Sequence, residues 1–137
     1  ELNQLVLEYK IQDKVTIKKS IPNDKIQNYY KSAKIFALAY NTEVESLPMP
    51  VIEAMATGLP VVIPFPKEGY SEGLEKTAVF TKNDEKSFTE NIQRLLENKD
   101  LREKYSKQSL NKSKEFDSEK IEERESEIYL ELTRGIQ

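Results

Sequence analysis

The sequence contains no cysteine and no histidine. Without cysteine, neither a disulfide framework nor a thiolate metal site can form. Without histidine, the commonest general base and the commonest metal ligand are both missing. A Ser-His-Asp triad and a His-based zinc site are therefore excluded within this chain. No apolar run approaches the length of a membrane span, and no signal peptide is visible. Cytoplasmic residence is the default expectation, with a peripheral membrane role of the full protein left open. An excess of positive charge is also lacking: the net charge is -3, which argues against general binding to nucleic acid or anionic membrane. What remains is 137 residues, 37% hydrophobic and 33% charged, enough for one strongly solvated domain with a modest core.

The most informative stretch is EVESLPMPVIEAMATGLPVVIPFP, residues 43–66. Pro48 and Pro50 cannot sit inside a helix, but proline suits its first turn. The pattern predicts a helix from near Pro50 to Thr57, with Gly58 as a left-handed stop. Val51, Ala54, Met55 and Gly58 fall at the three/four spacing of one packed face. LPVVIP then reads as a short buried strand. Two carboxylates frame the helix start: Glu45 in the preceding loop, and Glu53, expected in the first turn, where the helix dipole favours a negative charge. The free N–H groups of a helix start make an anion site. A carboxylate on either side of it can reach sugar or ribose hydroxyls of one ligand.

Glu45, seven residues, then Glu53-Ala54-Met55-Ala56, Thr57, Gly58, Leu59 and Pro60-Val61-Val62 resembles the signature of the group 1 family of retaining, nucleotide-sugar-dependent glycosyltransferases of the GT-B fold. The match is contiguous and specific, and weaker matches extend it over nearly the whole chain. The resemblance implies a donor-binding domain of a transferase that moves a sugar from a nucleoside diphosphate to an acceptor with retention, hexosyl or related. It implies no metal and no other cofactor. In that family the analogue of Glu45 lies near the transferred sugar, where its role is argued over; this makes it the catalytic candidate. The analogue of Glu53 accepts hydrogen bonds from the two ribose hydroxyls, which suits an acceptor-rich ionised side chain. Ser46, Leu47, Pro48 and Met49 stand where the family has a glycine-rich loop whose amides contact sugar and phosphate. Pro48 departs from that pattern because it has no N–H.

Taken in order, ELNQLVLEYKIQDKV opens on an amphipathic helix with Leu2, Leu5, Val6 and Tyr9 on one face. VTIKK reads as an alternating strand. SIPNDKIQNYYKSAK is a loop and a helix, with Asn23 or Asp24 as cap and Ile26, Tyr29, Tyr30 and Ala33 on the buried side. IFALAY has the continuous apolar character of a strand covered on both faces. After the central stretch, KEGYSEGLEK is turn-rich and TAVFT is another strand. NDEKSFTENIQRLLENK is a capped helix starting near Asn83 and burying Phe88, Ile92, Leu95 and Leu96. Two further helices follow, the last with Ile121, Ile128, Leu130 and Leu132 on a thin stripe. Alternating helix and strand to about Thr81 predict an α/β fold: a Rossmann-like parallel sheet flanked by helices, with an all-helical C-terminal tail from about residue 84. The resemblance implies the same layout, that of a partial GT-B C-terminal domain over residues 1–137. The Gly-Arg pair and Lys-Gly turn with which that domain normally begins are not in the sequence. The chain is accordingly expected to be a piece of a longer protein, whose other domain binds the acceptor (saccharide, lipid or other), and to be inactive alone.

Each candidate has a plainer reading. Thr42, two residues and Glu45 also fit a capping box. Glu53 also fits a residue placed for the helix dipole. Glu68, Gly69 and Glu72 only partly match the family's glycine pair and glutamate, and equally fit a plain turn. The turn at Ser20, Ile21 and Pro22, which borders the nucleobase in the family, also reads as an ordinary loop. Tyr29 and Tyr30 fit core packing. Glu43 and Glu45 are too few acidic groups for a metal, and the Lys and Glu runs from Glu119 to Glu127 fit a solvated helix face. Two functional alternatives stay open: a sugar-nucleotide epimerase of the same fold, which the missing histidine disfavours, and a degenerate homologue acting as a scaffold, which Pro48 and Glu68 keep in view.

Overall fold

A computed structural model describes residues 1–43, 47–66 and 73–134. Helix α1 (Leu2–Glu8) and helix α2 (Asn23–Ser32) precede strand β1 (Phe36–Ala37). Helix α3 (Met49–Ala56) leads into β2 (Val61–Pro64), and β3 (Ala78–Thr81) follows. Then come α4 (Glu85–Glu97), α5 (Lys99–Ser113), a 3-10 turn at Lys114–Phe116, and α6 (Ser118–Arg134). The strands form one parallel sheet in the order β1-β2-β3. Parallel neighbours need a crossover, and α3 supplies it between β1 and β2. The expected α/β class with a helical tail is thus the observed one.

The core follows from β2. Successive side chains on a strand point to opposite faces. Val61 and Ile63 join Val51, Ala54 and Met55 of α3 on one face. Val62 joins Val79 and Leu95 on the other. All four of β2's residues are buried, as its unbroken apolar run requires. α3 packs against α5 on one side of the sheet, and α4 against β2 and β3.

The end of α3 is closed as predicted. Gly58 takes φ +76°, the Gly58 amide donates to Met55 O at 2.9 Å and the Leu59 amide to Ala54 O at 3.1 Å. This is the paired 5→2 and 6→1 pattern of a Schellman stop. A Cβ at Gly58 would sit 3.6 Å from Ser106 Oγ, ordinary contact, so the backbone angle and not crowding requires glycine. The N-caps of α4 and α5 come from side chains. Asp84 Oδ1 accepts from the Ser87 amide at 2.8 Å and Asn98 Oδ1 from the Leu101 amide at 2.9 Å. The helix read as starting near Asn83 therefore starts at Glu85.

Several expectations are corrected. VTIKK forms no strand: among the described residues nothing pairs with it, and Val15 and Ile17 instead share a shallow cleft with Val6 and Leu7. IFALAY yields a strand of two residues with Ala37 exposed; it is an edge, bonded on the β2 side through the Phe36 and Leu38 amides. α1 buries nothing. Of the four positions assigned to the inner face of α2, Ile26 and Tyr30 reach the core, whereas Tyr29 is 47% exposed and Ala33 is an exposed C-cap. Leu96 is exposed while Leu95 is fully buried. In each case the periodicity marks an apolar stripe, but only neighbouring elements can cover it.

Candidate functional site

Between α2 and α3 runs a groove, a cleft of about 540 Å³ lined by Asn23, Ile26, Gln27, Tyr30, Lys31, Glu53, Ala56 and Thr57. The α3 contribution is set by its packing. Val51, Ala54 and Met55 are buried against the sheet and α5, so Glu53, on another side of the helix, is turned outward into the groove. α2 contributes through residues three, four and seven apart, one helical face.

The two walls are tied by one hydrogen bond. Tyr30 Oη donates to Glu53 Oε2 at 3.0 Å. The Tyr30 ring is 8% exposed and packs edge-on against Phe36, centroids 5.9 Å apart at 65°, a favourable aromatic geometry. Burial, and then the neighbouring Glu53 carboxylate, push the Tyr30 hydroxyl up to about 12. Both effects disfavour a phenolate beside a carboxylate, so Tyr30 stays a proton donor across the neutral range. Glu53 Oε1 and the remaining lone pairs are available to a ligand in the groove.

Glu53 does not lie in the first turn. The helix begins at Met49, no acidic residue stands in its first turn, and Glu53 is the fifth helical residue. Pro48 is the N-cap with φ -62° and ψ 139°, an extended residue just ahead of the first helical position. The dipole argument for Glu53 therefore weakens, since that effect falls off within a turn. The helix start is also poorer in donors than expected. Pro48 and Pro50 carry no N–H, and the Val51 amide is turned back to Pro48 O at 2.9 Å. Of the residues from 48 to 51, Met49 is left to offer an amide.

The other predicted residues divide. Leu47 packs against the main core, and Met49 is 63% exposed. Neither they nor Pro48 line the groove with Glu53. Glu45 and Ser46 lie outside the described residues, as do Glu68, Gly69 and Glu72. Pro22 is the N-cap of α2, so the turn at residues 20–22 leads directly to Asn23 at the mouth of the groove. Sequence reasoning missed the groove's other wall. Asn23 was expected as a cap, although no side-chain cap bond forms there, and Tyr30 as core alone. The signal was present as a polar line, Asn23, Gln27 and Lys31 at four-residue spacing, running beside the apolar Ile26 and Tyr30.

Sheet, crossover helix and groove together form an α/β unit similar in fold to a GT-B glycosyltransferase domain. The chain superposes on a sucrose-phosphate synthase from Thermosynechococcus elongatus with a TM-score of 0.77 and 24% identity, over 98% of this chain and 34% of that one. At that identity the likeness shows the fold alone, and the chain spans about a third of that structure's length. No curated protein matches the sequence. The family model for glycosyl transferases group 1 matches residues 1–112, and the chain belongs to that family. Among the described residues no helix is long and apolar enough to cross a membrane.

Proposed function

We propose that residues 1–137 are part of the donor-binding domain of a retaining glycosyltransferase, which moves a hexosyl or related group from a nucleoside diphosphate sugar to an acceptor. The observation that carries this reading is the position of Glu53: a carboxylate with free acceptor capacity, set in a groove that opens beside the turn at residues 20–22. A ribose lying there would donate its two hydroxyls to that carboxylate, while the base would lie toward Asn23. Leu47, Pro48 and Met49 would border the path of the sugar and diphosphate beyond the groove. The Met49 amide would face the negative charge that grows on the departing diphosphate, a contribution from a preorganised dipole. Glu45 and Ser46 would complete the sugar end. The acceptor would be held by a second domain of a longer protein, resident in the cytoplasm and in peripheral contact with a membrane where the acceptor is a lipid.

The test is made in the full-length protein. Glu53→Ala is expected to weaken donor binding roughly 10- to 100-fold, the scale of lost hydrogen bonds to a charged acceptor, with kcat changed less than KM. Unchanged donor affinity in an active enzyme would remove the ribose assignment. The piece alone is expected to bind donor weakly and to transfer nothing; transfer at an ordinary enzymatic rate by residues 1–137 would refute the split-site reading.

The paired prolines at the start of α3 favour a second reading, a non-catalytic relative that serves as a partner-binding scaffold. Calorimetric titration of the full-length protein with UDP- and GDP-sugars separates the two, since a scaffold gives no heat with either.

A further inference from the structure

We propose that Tyr30 is a positioning residue: it holds the Glu53 side chain in the rotamer that presents its second oxygen to a vicinal diol in the groove. The inference rests on the ribose reading of Glu53 and goes beyond it, because nothing in the motif around Glu53 involves α2.

Glu53 stands on a helix face with open space beside it, and a glutamate there has three side-chain torsions to fix before it can accept two hydroxyls at once. Immobilising such a side chain on binding costs affinity, and fixing it beforehand removes that cost. Three features make Tyr30 suited to the task. Its ring is buried and braced edge-on by Phe36, 5.9 Å away, which itself belongs to β1. Its hydroxyl is thus referenced to the sheet through Phe36. It donates to one carboxylate oxygen, Oε2, at 3.0 Å, leaving Oε1 for the ligand. It is neutral, so it orients the carboxylate without cancelling its charge, as the Lys31 ammonium lining the same groove would do if it paired there. The bond also joins α2 to α3 across 23 residues of sequence, so it sets the width of the groove at the level of the diol.

The test uses the full-length protein and calorimetric titration with UDP and GDP, each against its 2′,3′-dideoxy counterpart. The variant Tyr30→Phe keeps the ring and its contact with Phe36, and removes only the hydroxyl. It is expected to weaken binding of whichever ribonucleotide the protein takes by about fivefold, within the range for freeing one ordered side chain. Binding of the dideoxy form should not change, and in a Glu53→Gln background Tyr30→Phe should have no further effect. A merely structural role of Tyr30 would weaken ribo and dideoxy forms alike, and that result overturns the proposal. So does unchanged or tighter ribonucleotide binding by Tyr30→Phe while Glu53→Ala still weakens it; there the ribose reading survives without the positioning role. If the wild type binds neither UDP nor GDP, the ribose reading fails and the positioning role falls with it.

Discussion

α3 is eight residues long and buries Val51, Ala54 and Met55 completely, whereas α6 is seventeen residues long and buries none. Both carry an apolar stripe, the one on α6 being thin. The difference lies in what surrounds them. α3 is the crossover between two paired strands, so the sheet covers it on one side and α5 on another. α6 leaves the domain after the 3-10 turn, and Ile121, Ile128, Leu130 and Leu132 stay exposed. A stripe states which face can be buried; topology decides whether it is.

Substitutions sharpen that contrast in order of size. Met55→Ala should destabilise the domain by about 2–5 kcal/mol, the range for emptying a closed core site, read as a fall in the denaturant midpoint. Gly58→Ala should cost about 1–2 kcal/mol, because alanine is strained at a positive φ, even though its methyl group has room. A stability change below about 0.5 kcal/mol there would show that the stop of α3 can relax. Ile128→Ala in α6 should change stability by no more than about 0.5 kcal/mol, as for other exposed sites. A larger loss would mean that the stripe is covered in solution.

The smallest effect concerns pH. The Ser87 amide, and then the Ser87 hydroxyl, hold Asp84 below the usual carboxylate range. A depressed carboxylate stabilises the fold above its unfolded value and loses that contribution as pH falls through its folded value. Asp84→Asn keeps a good N-cap and should flatten the acid limb of the stability profile slightly. An unchanged acid limb in that variant would show that the cap is indifferent to charge.

Much of this architecture was legible because its signals are local. Pro48, Pro50 and Gly58 bracket α3 within a residue or two, the apolar runs locate β2 and β3, and the cap of α4, Asp84, lies one residue from the expected start near Asn83. The misreadings all required knowledge of neighbours. The VTIKK alternation could not say whether a partner strand lies beside it. The α2 periodicity could not distinguish Tyr29, which faces water, from Tyr30, which is buried. The groove was half visible: Glu53 stood out through its spacing, while the partner that holds it lies 23 residues away on another helix, beyond the reach of any short pattern.

The Gly58 turn has a mechanical consequence. Residues 58–60 bind in quick succession to the end of α3 and to β1, since the Leu59 amide reaches Ala54 O and Pro60 O receives the Phe36 amide. This makes the turn a fulcrum with almost no play. Glu53 lies five residues away, a lever arm of roughly 7.5 Å along the axis, so even a ten-degree tilt of α3 would displace it by only about 1 Å. One jaw of the groove is therefore fixed to the sheet. The Tyr30–Glu53 bond at 3.0 Å ties the α2 jaw to that fixed one.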